Sequence, residues 1–115
     1  MILHEYSIVN ALLQRVEGEA RSRGATSVKR IAISLGDLSG VDPTLLTSAY
    51  DVFREGTLCE TAELQIRWVP IEWSCPNCSE PIRAGDPLHC KQCGAAAELR
   101  AGDDVMLDQI EMEVP

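Results

Sequence analysis

The chain has 115 residues, 45% of them apolar and only five aromatic, with a formal charge of −8. That length allows one domain, or one with a small appendage, and its core must be mostly aliphatic. The acidic balance argues against nucleic acid, whose phosphates call for clustered Lys and Arg, and fits a basic protein partner instead. The opening MILHEYS has no basic stretch ahead of a long apolar run, and no apolar run approaches membrane-spanning length. Neither a secretory signal nor a membrane span is therefore expected, and the cytoplasm is the expected compartment.

Residues 7 to 23 read as a helix, with Ile8, Val9, Leu12, Leu13, Val16 and Ala20 at three- and four-residue steps. Ser7 is its expected N-cap and Gly24 its stop. VKRIAISLG alternates as a half-buried strand, with Ile31, Ile33 and Leu35 on one face and Arg30, Ala32 and Ser34 on the other. After the loop GDLSGVD, Asp42-Pro43 opens a second helix, Asp as N-cap and Pro at the first helical position. Leu45, Leu46, Ala49, Val52 and Phe53 form its expected apolar stripe, and Gly56 ends it. ELQIRWV, residues 63 to 69, alternates again with Leu64, Ile66 and Trp68 on one face.

Pro70 marks a boundary, and from Trp73 to Ala97 the text turns to Cys, Pro, Gly and polar residues. The strand pattern returns after Gly102 in VMLDQIEMEV, where Ile110, Met112 and Val114 share a face and the alternation slips near Asp108. The expected fold is α+β: two helices on one face of a three-stranded mixed sheet, with a four-cysteine zinc-ribbon module inserted before the last strand. Residues 1–70 and 103–115 then form one α/β domain and residues 71–102 a zinc-binding domain.

The module carries Cys75-x2-Cys78, eleven residues, then Cys90-x2-Cys93. Each pair places two thiolates on one tight knuckle, and the intervening residues are expected to form a hairpin that joins them. Four thiolates in a tetrahedron suit Zn2+, and a donor set supplied wholly by protein leaves no open position, so the site reads as structural. Inside it only Arg83 and Lys91 are basic, which again disfavours nucleic acid. Cys59 stands apart and reads as a small buried residue. His89, beside Cys90, reads as a surface residue of the zinc loop, or as a group whose protonation near pH 6 couples the ribbon to the rest. Two histidines at these positions assemble no catalytic constellation, and no phosphate loop is present, so an enzyme is not expected.

HEYSIVNALLQRVEGEA, IAISLGDLSGVDPTLL, AYDVFREGTLCETAELQIRWVP, the paired cysteines and the closing DDVMLDQIEMEV together resemble the HypA/HybF family over nearly the full length. These are nickel metallochaperones for maturation of nickel–iron hydrogenases. The resemblance implies a structural zinc ribbon and Ni2+ held near the amino terminus at His4 and Glu5, by the histidine side chain with backbone nitrogens. Square-planar nitrogen donation of that kind suits Ni2+. Asp42, at the acidic position of the Gly-Val-acidic loop, is implied as a further contributor beside its reading as a helix cap. The implied partners are a nickel-handling GTPase accessory protein and the hydrogenase large subunit. The chain is expected to be monomeric, with exchange of the inserted module as a route to a dimer.

The family's sequence begins Met-His-Glu, whereas Met1, Ile2 and Leu3 precede His4 here. Initiation at Leu3 would restore the family's start. Removal of Met1, which Ile2 opposes, would instead place histidine third, with an amine, two amides and an imidazole in one plane. Outside the resemblance, the same residues read as a zinc-ribbon scaffold or nucleic-acid-binding interaction module without metal transfer.

Overall fold

The structure is a computed structural model that describes the backbone of residues 2–115 and the side chains from His4 onward. Helix α1 spans Ile2–Ser22, so it starts before Ser7, which lies inside the helix and is not its cap. The buried stripe explains the early start. Val9, Leu13, Val16 and Ala20 are buried, and one turn upstream Glu5 continues their line with 2% of its surface exposed. A carboxylate in the apolar stripe reads as a break in the pattern, yet in the first turn it faces the positive end of the helix dipole. At the other end Gly24 turns left-handed (φ 70). The Ala25 and Gly24 amides then donate to the Ala20 and Arg21 carbonyls, which satisfies the last turn.

Strand β1, Ser27–Gly36, is the centre of the first sheet. It pairs in parallel with β2, Glu63–Val69, and antiparallel with β6, Val105–Glu113, giving the order β2-β1-β6. Parallel neighbours need a crossover. Helix α2, Pro43–Phe53, supplies it, and the two helices cover one face. Asp42 caps α2 as expected, accepting from the Thr44 and Leu45 amides at 2.8 and 3.2 Å. The apolar stripe of α2 is rotated from the expected one. Leu46, Ala49 and Tyr50 are buried, whereas Val52 is 62% exposed and Phe53 lies at the rim, stacked edge-to-face on Tyr6. Tyr50 can go inward because its hydroxyl donates to the Ala62 carbonyl at 2.8 Å.

The slip expected near Asp108 is a bulge. Ala32 faces Gln109 and Ile33 faces Leu107, so Asp108 has no partner across the ladder. The Ser34 hydroxyl donates to the Asp108 carboxylate and accepts from Arg67 Nη2 at 2.7 Å, which accounts for a serine that is buried on the face away from the helices. Trp68 sits beside Leu35 in the ladder but remains half exposed. Between β2 and β6 the chain builds a second sheet from β3 (Glu72–Ser74), β4 (Pro81–Ile82) and β5 (Glu98–Ala101), in the order β4-β3-β5.

Burial pushes the Tyr50 hydroxyl up to about 12 from its ordinary 10. Folding therefore favours its neutral form, and the stability this supplies is complete below pH 10 and lost as pH rises toward 12. Because Arg54 also donates to the Ala62 carbonyl, Tyr50→Phe should cost only about 1 kcal/mol at neutral pH. It should also flatten the alkaline loss, both read from urea midpoints across pH.

Candidate metal centre

The two Cys-x-x-Cys segments fold into the same turn. In the first, the Cys75 amide donates to the Glu80 carbonyl at 2.9 Å and the Ser79 amide to the Cys75 carbonyl at 3.0 Å. In the second, Cys90 donates to Ala95 at 2.8 Å and Gly94 to Cys90 at 2.9 Å. Both turns need a left-handed residue at the fifth position, which is Ser79 (φ 58) in one and Gly94 (φ 76) in the other. Gly94 is legible from the sequence as a turn residue. Ser79 is not, because serine rarely adopts that conformation.

Each knuckle closes its own hairpin, which corrects the expectation of a single hairpin between them. Around the first knuckle β3 pairs with β4, and around the second His89 bridges to Ala96. A turn from Arg83 to Asp86 separates the two.

This arrangement brings the sulfurs of Cys75, Cys78, Cys90 and Cys93 within 4.8 Å of one another. A tetrahedron of thiolates around Zn2+, with bonds of about 2.3 Å, has edges of about 3.8 Å, so the four sulfurs fit one such ion. The Asn77 and Cys78 amides point at the Cys75 sulfur, at 3.4 and 3.3 Å. Four thiols cannot all ionise side by side without an opposite charge. Hydrogen bonding to Cys93 and Cys75 pushes the Cys78 thiol up to about 12, while the Ala95 amide, then the Cys75 thiol, lowers Cys93. A divalent cation supplies the charge that ionising all four requires.

At the far end of α1, His4 is exposed in the first turn, where amide groups have no carbonyl one turn earlier to bond. The Glu5 side chain turns inward. Its Oε2 accepts the Asp42 amide at 3.2 Å, and its Oε1 is buried with no partner among the described residues. Asp42 itself is exposed and uses Oδ1 for both cap bonds, leaving Oδ2 out of the cap. Glu5 and Asp42 thus meet through a side chain and a backbone amide, next in sequence to the exposed imidazole. Cys59 is fully buried, its thiol pushed up to about 11 by burial, and His89 is exposed beside Cys90.

Two measurements check this centre. In native, metal-loaded protein a thiol reagent should find no fast-reacting cysteine, a strong chelator should release four, and Cys59 should react only in denaturant. Separately, Ser79→Gly should stabilise the second sheet against chelator by about 1 kcal/mol, because glycine adopts the left-handed conformation without steric cost. Gly94→Ala should weaken it by a similar amount.

The profile of the family described as "Hydrogenase/urease nickel incorporation, metallochaperone, hypA" matches residues 3–112. The chain is 40% identical over 114 residues to the hydrogenase maturation factor HypA of Wolinella succinogenes, covering 96% of each. It is 37% identical over 114 residues to that of Aquifex aeolicus, covering 97% of this chain and 99% of the relative. The solution structure of the Ni metallochaperone HypA from Helicobacter pylori superposes with a TM-score of 0.75 at 30% identity, covering 96% of this chain and 98% of that one. A second structure, described as the solution structure of HypA protein, gives 0.80 at 31% identity over 96% of each chain. With its two helices on a mixed sheet and its four clustered cysteines, the chain belongs to the HypA family of hydrogenase maturation factors, which are metallochaperones and not enzymes.

Proposed function

We propose that the chain carries Ni2+ at its amino-terminal end and delivers it during maturation of nickel–iron hydrogenase, while the four cysteines hold a structural Zn2+. The reading divides the labour between residues 1–70 with 103–115, which carry nickel, and residues 71–102, which carry zinc. Its main support is the contrast between two donor sets. The four sulfurs, all within 4.8 Å of one another, can supply a full tetrahedral donor set, which would leave a metal there no open position for exchange. His4 is exposed and next in sequence to Glu5, whose buried carboxylate accepts the Asp42 amide, so the exposed His4 and Asp42 side chains flank that bond without forming a closed donor cluster. A cargo must leave as readily as it arrives, and the exposed donors suit that.

Residues in helical conformation do not place their amides in one plane around an ion. Nickel uptake by backbone nitrogens therefore opens the first turn of α1. Nucleotide hydrolysis in delivery falls to a partner GTPase, and the hydrogenase large subunit is the recipient, with urease as a further client. No helix among the described residues is long and apolar enough to cross a membrane, which accords with delivery in the cytoplasm.

Titration of the zinc-loaded protein, free of any amino-terminal tag, should show one Ni2+ per chain and retained zinc. His4→Ala should abolish nickel binding without releasing zinc. Asp42→Asn keeps a capping side chain of equal quality, so unchanged stability with weaker nickel binding would mark Asp42 as a ligand. Nickel absorbing as a thiolate complex, with His4 indifferent to substitution, would overturn the reading in favour of a zinc-ribbon scaffold.

A further inference from the structure

Three backbone segments meet where the second sheet leaves the first. They are the end of β1 at Gly36, the exit from β2 at Val69–Ile71, and the entry to β6 at Gly102–Asp104. Three consecutive amides tie them together. Gly36 donates to the Asp104 carbonyl at 2.9 Å, Asp37 to Val69 at 3.1 Å and Leu38 to Gly102 at 2.6 Å. The segments are also stacked without room for a side chain. A Cβ on Gly36 would lie 2.3 Å from the Gly102 carbonyl carbon, and a Cβ on Gly102 would lie 2.7 Å from the Ile71 Cα. Gly102 further holds φ at 100, which L side chains rarely adopt. Two glycines far apart in sequence thus serve one close backbone crossing.

We propose that Gly36 and Gly102 are positioning residues. They form a clasp that fixes the four-cysteine module in one orientation against the end of the first sheet, from which the loop to Asp42 leaves. Both connections of the module pass through the crossing, Val69 to Glu72 on one side and Ala101 to Val105 on the other. The loop that leaves the clasp at Leu38 is pinned at its far end, where the Asp42 amide donates to Glu5, and Val41 is buried between. Module and amino-terminal end are therefore related through a short, anchored stretch of backbone. That the clasp serves nickel delivery rests on the function proposed above, whereas the fixed orientation stands on the geometry alone.

The test is nitrogen-15 relaxation on the metal-loaded full-length protein. In the wild type, amides of β1 and of residues 73–99 should share one rotational correlation time. In Gly36→Ala and Gly102→Ala that common value should be lost, the module tumbling faster, with one cysteine-bound metal per chain retained. Should either variant fail to fold, Leu38→Pro removes a clasp donor from the loop without adding bulk at the crossing, and should loosen the module in the same direction. Independent tumbling in the wild type, or joint tumbling in every folded variant, overturns the proposal. Nickel occupancy measured on the same samples separates the two readings, because wild type that binds no nickel defeats the carrier function and leaves the relaxation result intact.

Discussion

The central strand β1 is the constraint on which the helix-bearing half depends. Both neighbours pair with it, one in each direction. The parallel neighbour forces a crossover, so α2 exists where it does because β1 and β2 run the same way. The alternation of Ile31, Ile33 and Leu35 then decides which face the helices cover, and these three side chains are almost wholly buried. The termini of the elements inherit their positions from this. Because α1 runs back against β1, its first turn reaches the loop that caps α2, and there Glu5 meets the Asp42 amide.

The second sheet has no comparable apolar source of order. Its strands are two to four residues long, and its buried side chains are Ser74, Cys75 and Cys90. A sheet of that size cannot offset the conformational entropy of ordering its chain by burial alone. Metal coordination by the four cysteines would supply the difference, since the binding energy of a structural zinc site is on the order of 10–16 kcal/mol in small peptides. The protein thus combines two sources of stability, burial in one half and ligation in the other. The first draws on aliphatic side chains of both helices and the sheet, and the second on the four cysteines.

Much of this was legible in local sequence. Period-two runs gave β1, β2 and β6, Asp42-Pro43 gave the start of α2, and the cysteine spacing gave the metal site. Even the bulge at Asp108 showed as a slip in alternation. What escaped depended on partners remote in sequence. Glu5 looks like a polar interruption until the Asp42 amide is beside it. Tyr50 looks less suited to a core than Val52 until the Ala62 carbonyl receives its hydroxyl. Ser79 carries no turn signal, and is forced left-handed by the same closure that Gly94 completes without strain. Gly36 and Gly102 read as loop glycines, and only the crossing of three segments shows why neither tolerates a methyl group.

The position of the insertion has a consequence for how the chain reaches its native state. The last strand cannot pair with β1 until residues 70–104, thirty-five in all, have been looped out. Glu72 pairs with Ala101 in the second sheet, so ordering of that sheet by a bound metal would shorten the loop to a handful of residues. Loop-closure entropy grows as the logarithm of length, so this saves about 1–1.5 kcal/mol at the docking of β6. An ion held by the four cysteines would thereby hasten completion of the first sheet, and without it chains with one edge of β1 still bare would accumulate.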